Sequence, residues 1–168
     1  VTAGELGVRW VNQSLVGERA FGYSEFAVEI QDYLRFGGEN QVLVTVKCGA
    51  QNSRWYSGAG IYRDVYLLHS PALRVLPGSL RLTTKSVNND NAAVEITGKI
   101  ENGGSFARDF TAQICIKDPE GNTAARRSFP LRLRAGQSLE LRKTFYLENA
   151  ALWDENHHSL YTVELAVS

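Results

Sequence analysis

The sequence predicts an all-β protein, and three observations support that prediction. Apolar and polar residues alternate with a period of two along five separate segments, which is typical of strands with one face on a core and the other in water. Turn signals separate these segments at the spacing of about 8–12 residues expected of a β-sandwich. Only residues 30–35 look helical, and they are too few to form a stable helix alone.

The predicted strands follow one another along most of the chain. Their apolar positions are Val42, Val44 and Val46, then Val94, Ile96, Gly98 and Ile100, then Phe110, Ala112, Ile114 and Ile116, then Leu139, Leu141 and Phe145, and finally Tyr161, Val163, Leu165 and Val167. Residues 61–68 also read as a strand. Residues 118–122 predict a turn, because Pro119 presets φ and Gly121 accepts a positive φ.

A domain boundary is predicted at Ser70-Pro71. Pro71 cannot donate a hydrogen bond to a central ladder, and it restricts the residue before it to extended geometry. Residues 71–168 have the length and the strand number of an immunoglobulin-like sandwich. Residues 1–70 are too few to close a sandwich by themselves, so they are expected to be part of a larger domain.

The charge balance and the lack of long apolar runs argue against two classes of partner, nucleic acids and membranes. Lysine plus arginine equals aspartate plus glutamate at 18 each, which argues against a nucleic-acid partner. No apolar run approaches the roughly 20 residues needed to cross a bilayer, and residues 1–7 do not resemble a signal peptide. Cys48 and Cys115 are interpreted as two buried or half-buried thiols, although a bridge between domains remains an alternative.

Three stretches carry a resemblance to a known family. They are Val8–Gly17 together with Phe21–Phe26 and Ile30–Leu34, then Arg54–Val65, and then Leu152–Asn156 with Leu160-Tyr161. Together they resemble glycoside hydrolase family 2, which includes β-galactosidases, β-mannosidases and β-glucuronidases. The resemblance implies that residues 1–70 are the C-terminal half of a galactose-binding-like jelly-roll domain. It also implies that residues 71–168 are an immunoglobulin-like β-sandwich and that a catalytic TIM barrel follows in the parent chain.

The resemblance further implies a non-catalytic accessory region of a β-galactosidase-type glycosidase, which hydrolyses O-glycosyl bonds. The family carries both catalytic glutamates on the barrel, with the acid/base directly after an asparagine, and no Asn-Glu dipeptide occurs here. We therefore expect no catalytic residue, no cofactor and no activity in this chain. The expected partners are the barrel and its carbohydrate substrate. A homo-oligomer is left open, as is the compartment, bacterial cytoplasm or periplasm.

By this resemblance, the residues that we expect to contact a sugar are Asn52, Ser53, Arg54 and Trp55. In the family, this loop points toward the opening of the barrel. Aromatic groups can stack on sugar rings, and amide and guanidinium groups can hydrogen-bond to sugar hydroxyls. Some members carry an aspartate here that touches substrate or a sodium ion. Ser53 stands at that place, so no metal site is predicted. The alternative is that Trp55 belongs to the core and Arg54 to a domain contact.

Two other interpretations remain. Residues 154–158 contain His157 and His158, but adjacent histidines rarely chelate one ion, so this segment is predicted to be a polar loop beside Trp153. The whole chain could also be a stand-alone carbohydrate-binding or protein-interaction module. A carbohydrate-binding module would need an exposed row of aromatic side chains, which the sequence does not make evident.

Overall fold

The computed structural model of the chain describes residues 5–20, 24–47, 60–88 and 91–168. Its regular structure over these residues consists of strands and one 3₁₀ turn, Gln31–Tyr33, so the all-β prediction is confirmed. The strands are β1 Glu5–Val11, β2 Ser14–Arg19, β3 Val42–Lys47, β4 Leu73–Val75, β5 Arg81–Val87, β6 Asn91–Asn102, β7 Arg108–Lys117, β8 Thr123–Leu133, β9 Ser138–Glu148 and β10 Thr162–Val167. They fall into two compact units, Val1–Leu67 and Leu68–Ser168.

The first unit is built on a three-stranded antiparallel sheet in the order β2-β1-β3. Asn12 and Gln13 connect β1 to β2 with φ angles of 47° and 72°, as the two-residue hairpin turn that twists with its strands requires. Gln13 thus occupies a left-handed position that glycine would fill more easily. The Asn12 side chain secures the turn, because its amide donates to the Tyr33 carbonyl at 2.7 Å and to Asn40 Oδ1 at 2.8 Å.

The predicted helical segment is present only as the 3₁₀ turn Gln31–Tyr33. Asn40 organises the residues that follow it. The backbone N–H of Arg35 donates to Asn40 Oδ1 at 2.7 Å, and Asn40 Nδ2 donates to the carbonyls of Arg35 and Gly38 at 3.0 Å each. Gly37 has a φ of 77°, which is the left-handed geometry its glycine permits.

The prediction of a strand over residues 61–68 is wrong. This segment forms no ladder with any described strand, and its apolar side chains Ile61, Val65, Tyr66, Leu67 and Leu68 are exposed. Alternation identifies a segment that can serve as a strand, but a strand also needs a hydrogen-bonding partner.

The second unit is a sandwich of two antiparallel sheets. One sheet has the order β10-β7-β8. In the other, β6 pairs with β9 along one edge and with β4 and β5 along the opposite edge. Strands β4 and β5 are therefore two halves of one interrupted edge strand, broken where Gly78 adopts a φ of 70°. With its strands shared between two packed sheets, the unit has the immunoglobulin-like architecture expected from the sequence.

The core lies between the inner faces of these two sheets. It comprises Ala92, Val94, Ile96, Ile100, Phe110, Ala112, Ile114, Ile116, Leu133, Leu141, Phe145 and Leu147. Gly98 lies among these inward positions of β6, and a Cβ added there would lie 2.6 Å from Leu165 Cδ2 of β10. The absence of a side chain at Gly98 thus lets Leu165 pack directly onto the facing sheet.

Asn102 is the polar exception in this core, with no exposed surface. Its Nδ2 donates to the carbonyls of Phe106 at 2.8 Å, Leu133 at 3.3 Å and Arg134 at 3.2 Å. Its Oδ1 accepts from the backbone N–H of Gly104 at 3.1 Å. The side chain therefore joins the β6–β7 turn to the end of β8, and burial costs it little because its polar atoms are satisfied.

Candidate functional site

The four residues predicted to contact a sugar lie outside the described residues. Strand β3 ends at Lys47, and the described chain resumes at Gly60. Asn52, Ser53, Arg54 and Trp55 fall between these points, as do Cys48 and Tyr56. Their role in substrate binding therefore stays a prediction.

The loop between β9 and β10 is held in one shape by Asp154. Its Oδ1 accepts from the backbone N–H groups of Asn156 at 2.8 Å and His157 at 2.6 Å. These bonds, that from Asn156 first, hold the pKa of the Asp154 carboxyl below its ordinary value, because they favour the charged form. The backbone N–H of Asp154 also donates to the His157 carbonyl at 2.9 Å, which closes the turn.

The two adjacent histidines of this loop have different partners. His157 Nδ1 lies 3.1 Å from Asp154 Oδ1, whereas the His158 ring stacks on Trp153 with centroids 5.4 Å apart and an interplanar angle of 21°. No cluster of three or more metal-ligating side chains occurs among the described residues. The loop is thus a polar turn that supports an aromatic side chain.

Trp153 and two leucines give the β9–β10 loop an apolar exposed surface. The exposed fractions are 50% for Leu152, 62% for Trp153 and 71% for Leu160. The backbone N–H of Ala151 donates to the hydroxyl of Tyr161 at 2.9 Å, which fixes the base of the loop. An exposed tryptophan of this kind is suited to packing against another surface or a sugar ring.

The carboxylate of Glu95, on the outer face of β6, contacts two cations. Its Oε1 lies 2.9 Å from Lys85 Nζ and 3.2 Å from Arg142 Nη1, and Arg142 also contacts Glu140 at 2.9 Å. The hydrogen bond from Lys85, followed by the charges of Lys85 and Arg142, outweighs partial desolvation and lowers the pKa of Glu95. A general acid for glycoside hydrolysis needs the opposite shift, so this network suits a structural role.

Two cations that the sequence analysis did not single out lie on inward positions of edge strands, Arg127 exposed and Lys143 half-buried. Arg127 pairs in register with buried Ile114, and its guanidinium carbon lies 5.3 Å from the ring centroid of Phe145. Lys143 pairs with buried Ile96, and its Nζ lies 4.6 Å from the ring centroid of Phe129. The sequence does indicate the inward cation at position 143, because a lysine there interrupts the alternation of apolar residues along β9.

Within the described residues, no helix has the length and apolar character to cross a bilayer. Cys115 is a free, buried thiol on β7. Its sulfur lies 3.7 Å from an Arg126 nitrogen and 3.9 Å from Thr123 Oγ1, so the interpretation of this cysteine as a buried thiol is confirmed.

Comparison with known proteins places this sandwich in a family. The model of glycosyl hydrolases family 2 matches residues 78–168. A β-galactosidase of Bacteroides ovatus is 29% identical over 155 residues, which cover 92% of this chain and 18% of that protein. A β-glucuronidase of Bacteroides fragilis is 28% identical over 160 residues, which cover 86% of this chain and 22% of that protein.

A solved structure gives the same result. The crystal structure of a glycosyl hydrolase family 2 member from Bacteroides cellulosilyticus superposes with a TM-score of 0.89 at 28% identity, covering 99% of this chain and 23% of that one. The chain thus spans about a fifth of the length of the relatives it matches. With the family model matching more than half of its residues, the chain belongs to glycosyl hydrolase family 2.

Proposed function

We propose that this chain is a non-catalytic accessory region of a family 2 glycosidase, in which it positions a separate catalytic TIM barrel and lines part of the sugar site. One observation carries the proposal. Glycosidases match the chain along more than nine-tenths of its length, yet the match covers only about a fifth of theirs. These relatives are named β-galactosidase and β-glucuronidase. We propose the β-galactosidase type for the parent.

The domain organisation that we propose for the chain follows from the same resemblance. We propose that residues 1–70 are the C-terminal half of a jelly-roll domain and residues 71–168 an immunoglobulin-like domain. The break between the two compact units, after Leu67, lies within three residues of this boundary and supports it. Asn52, Ser53, Arg54 and Trp55 are the residues proposed to meet the substrate.

The absence of catalysis in this region has a physical rationale. Retaining glycosidases hold two carboxyl groups about 5–5.5 Å apart, with one kept protonated near neutral pH. Glu95 instead lies between two cations that favour its charged form. The sequence also lacks the Asn-Glu dipeptide of the family's acid/base residue.

The test compares the 168-residue chain with the product of the complete gene on chromogenic galactosides and glucuronides. We expect turnover from the complete protein and none from the chain. In the complete protein, Trp55→Ala is expected to raise KM, whereas Tyr146→Ala, which removes an exposed aromatic ring of β9, is expected to leave it unchanged. A complete gene without a catalytic domain would refute the proposal, as would turnover by the chain that disappears when one of its own glutamates is replaced.

The alternative is a stand-alone carbohydrate-binding module, and the exposed Trp153 is the observation that favours it. The exposed aromatic residues of the second unit, Phe106, Tyr146 and Trp153, belong to three different elements rather than to one strand. Calorimetry of the chain with galactose and mannose separates the two functions. Millimolar or tighter binding that Trp153→Ala abolishes would favour the module.

A further inference from the structure

The open side of the sandwich between β8 and β9 carries an unusual set of inward-facing residues. In the described structure, β8 pairs only with β7 and β9 only with β6, so each strand lies at the edge of its sheet. A short turn, in which the Gln137 N–H donates to the Arg134 carbonyl, connects them. We call the inward positions Arg127, Phe129, Lys143 and Phe145 the β8–β9 seam.

The two cations of the seam cross over to the opposite strand. Arg127 of β8 lies over Phe145 of β9, and Lys143 of β9 lies over Phe129 of β8. Neither cation forms an ion pair with a described carboxylate. Arg142, one residue from Lys143 and on the outer face, contacts both Glu95 and Glu140. Aromatic faces satisfy the seam cations only in part, since a carboxylate is a stronger partner.

Positive charge is concentrated around the seam. Residues 121–143 contain six arginines and lysines and a single acidic residue, Glu140, in a chain whose overall charge is zero. This strip is the most basic part of the second unit, and such a concentration attracts anions from solution.

Protection of the sheet edges accounts for the presence of charge on both strands. Charged side chains and proline on an edge strand discourage pairing with another chain, and this explains the outward Arg126, Pro130 and Arg132 of β8. Inward-pointing charges on edge strands have the same effect, so exposed Arg127 and half-buried Lys143, on inward positions of β8 and β9, also protect the edges. Edge protection does not require the two cations to lack a carboxylate partner among the described residues, and this leaves both available to a ligand with negative charge.

We propose that the β8–β9 seam binds the carboxylate of an acidic oligosaccharide. The guanidinium of Arg127 can hold a carboxylate with two parallel hydrogen bonds, and Lys143 adds a second charge. Half-buried Phe129 offers an apolar face on which a sugar ring can lie. The choice of a saccharide rests on the proposed function, whereas the anion site rests on the seam alone.

The test is a titration of the 168-residue chain with tetragalacturonate at low ionic strength, followed by calorimetry and by amide chemical shifts. We expect binding, with shifts centred on residues 127–129 and 143–145. The double variant Arg127→Gln/Lys143→Gln should weaken binding by about tenfold or more. The matched control Arg132→Gln/Arg142→Gln removes the same charge from cations that already have carboxylate partners and should change binding by about twofold or less.

Three results would overturn the proposal. They are equal binding of a neutral galacto-oligosaccharide, an equal loss in both double variants, and binding of acetate as tight as that of tetragalacturonate. The charge-preserving variant Arg127→Lys/Lys143→Arg should retain binding, which separates loss of the site from loss of the fold. Glycosidase assays of the complete gene product test the proposed function separately, so failure at the seam leaves that function standing.

Discussion

Replacing Asn102 with alanine tests whether the buried asparagine secures the turns at one end of the sandwich. The substitution removes a side chain with no exposed surface and leaves three carbonyls and the Gly104 N–H without their partner. The two Nδ2 hydrogens and Oδ1 amount to three hydrogen bonds, each contributing about 1 kcal/mol. We therefore expect a loss of about 3 kcal/mol in the free energy of unfolding of the second unit. For a unit of this size, that corresponds to a fall in Tm of about 15 °C.

The assay is urea unfolding followed by far-UV circular dichroism, with hydrogen exchange of β6 amides to assign the transition to the second unit. Asn122→Ala is the matched control, because that asparagine is exposed and its side chain donates only to Asp118 at 3.3 Å. It should cost less than about 0.5 kcal/mol. A loss at Asn102 no larger than this would refute the idea that the hydrogen-bond network holds the turns.

Asn102→Asp preserves the shape of the side chain and reverses part of its hydrogen bonding. A buried carboxylate would face three carbonyl oxygens, so its pKa in the folded protein should lie above its unfolded value. The destabilisation is then greatest at neutral pH and is relieved as pH falls through the raised pKa. If the stability of this variant, relative to the parent protein, decreased as pH was lowered, that result would contradict the described contacts.

Three further predictions concern other parts of the second unit. Glu95→Gln should lower Tm at pH 7; because the folded pKa of Glu95 is depressed, the difference should vanish as pH falls through that pKa, measured by thermal melts from neutral to acidic pH. Gly98→Val should lower the free energy of unfolding in urea by about 1–3 kcal/mol, since its side chain would collide with Leu165. A variant as stable as the parent protein would contradict the close packing of Leu165 against β6. Asp154→Ala should loosen the β9–β10 loop and change the emission of Trp153, a change that must be absent in a Trp153→Phe background.

Alternation was enough to predict strands β6, β7, β9 and β10 of the sandwich and their inward faces. Val94 and Ile96 of β6 lie in the core as expected, because one side of each strand has a sheet to pack against. The same pattern failed at residues 61–68, since periodicity reports which residues are apolar and not whether a neighbouring strand is available. Hydrogen-bonding partners are a property of the whole fold.

The candidate site shows a similar division. Asp154 could be recognised from sequence as part of a polar loop, because aspartate readily accepts hydrogen bonds from the backbone just after it. The crossing of Arg127 and Lys143 over two phenylalanines could not, since the partners lie on different sheets and meet only through the β8–β9 turn. A lysine at an inward position is the trace that sequence leaves of such an arrangement.

The central position of β6 has a consequence for biosynthesis. This strand pairs along nearly its whole length with β9, whose residues follow about 40 to 60 positions later. During translation, β6 therefore leaves the ribosome well before its main neighbour exists, and it has only the short β4 and β5 to shield it. The nascent segment is exposed to chaperones and to aggregation in that interval, so we expect the rate of synthesis between residues 102 and 148 to affect the yield of folded protein.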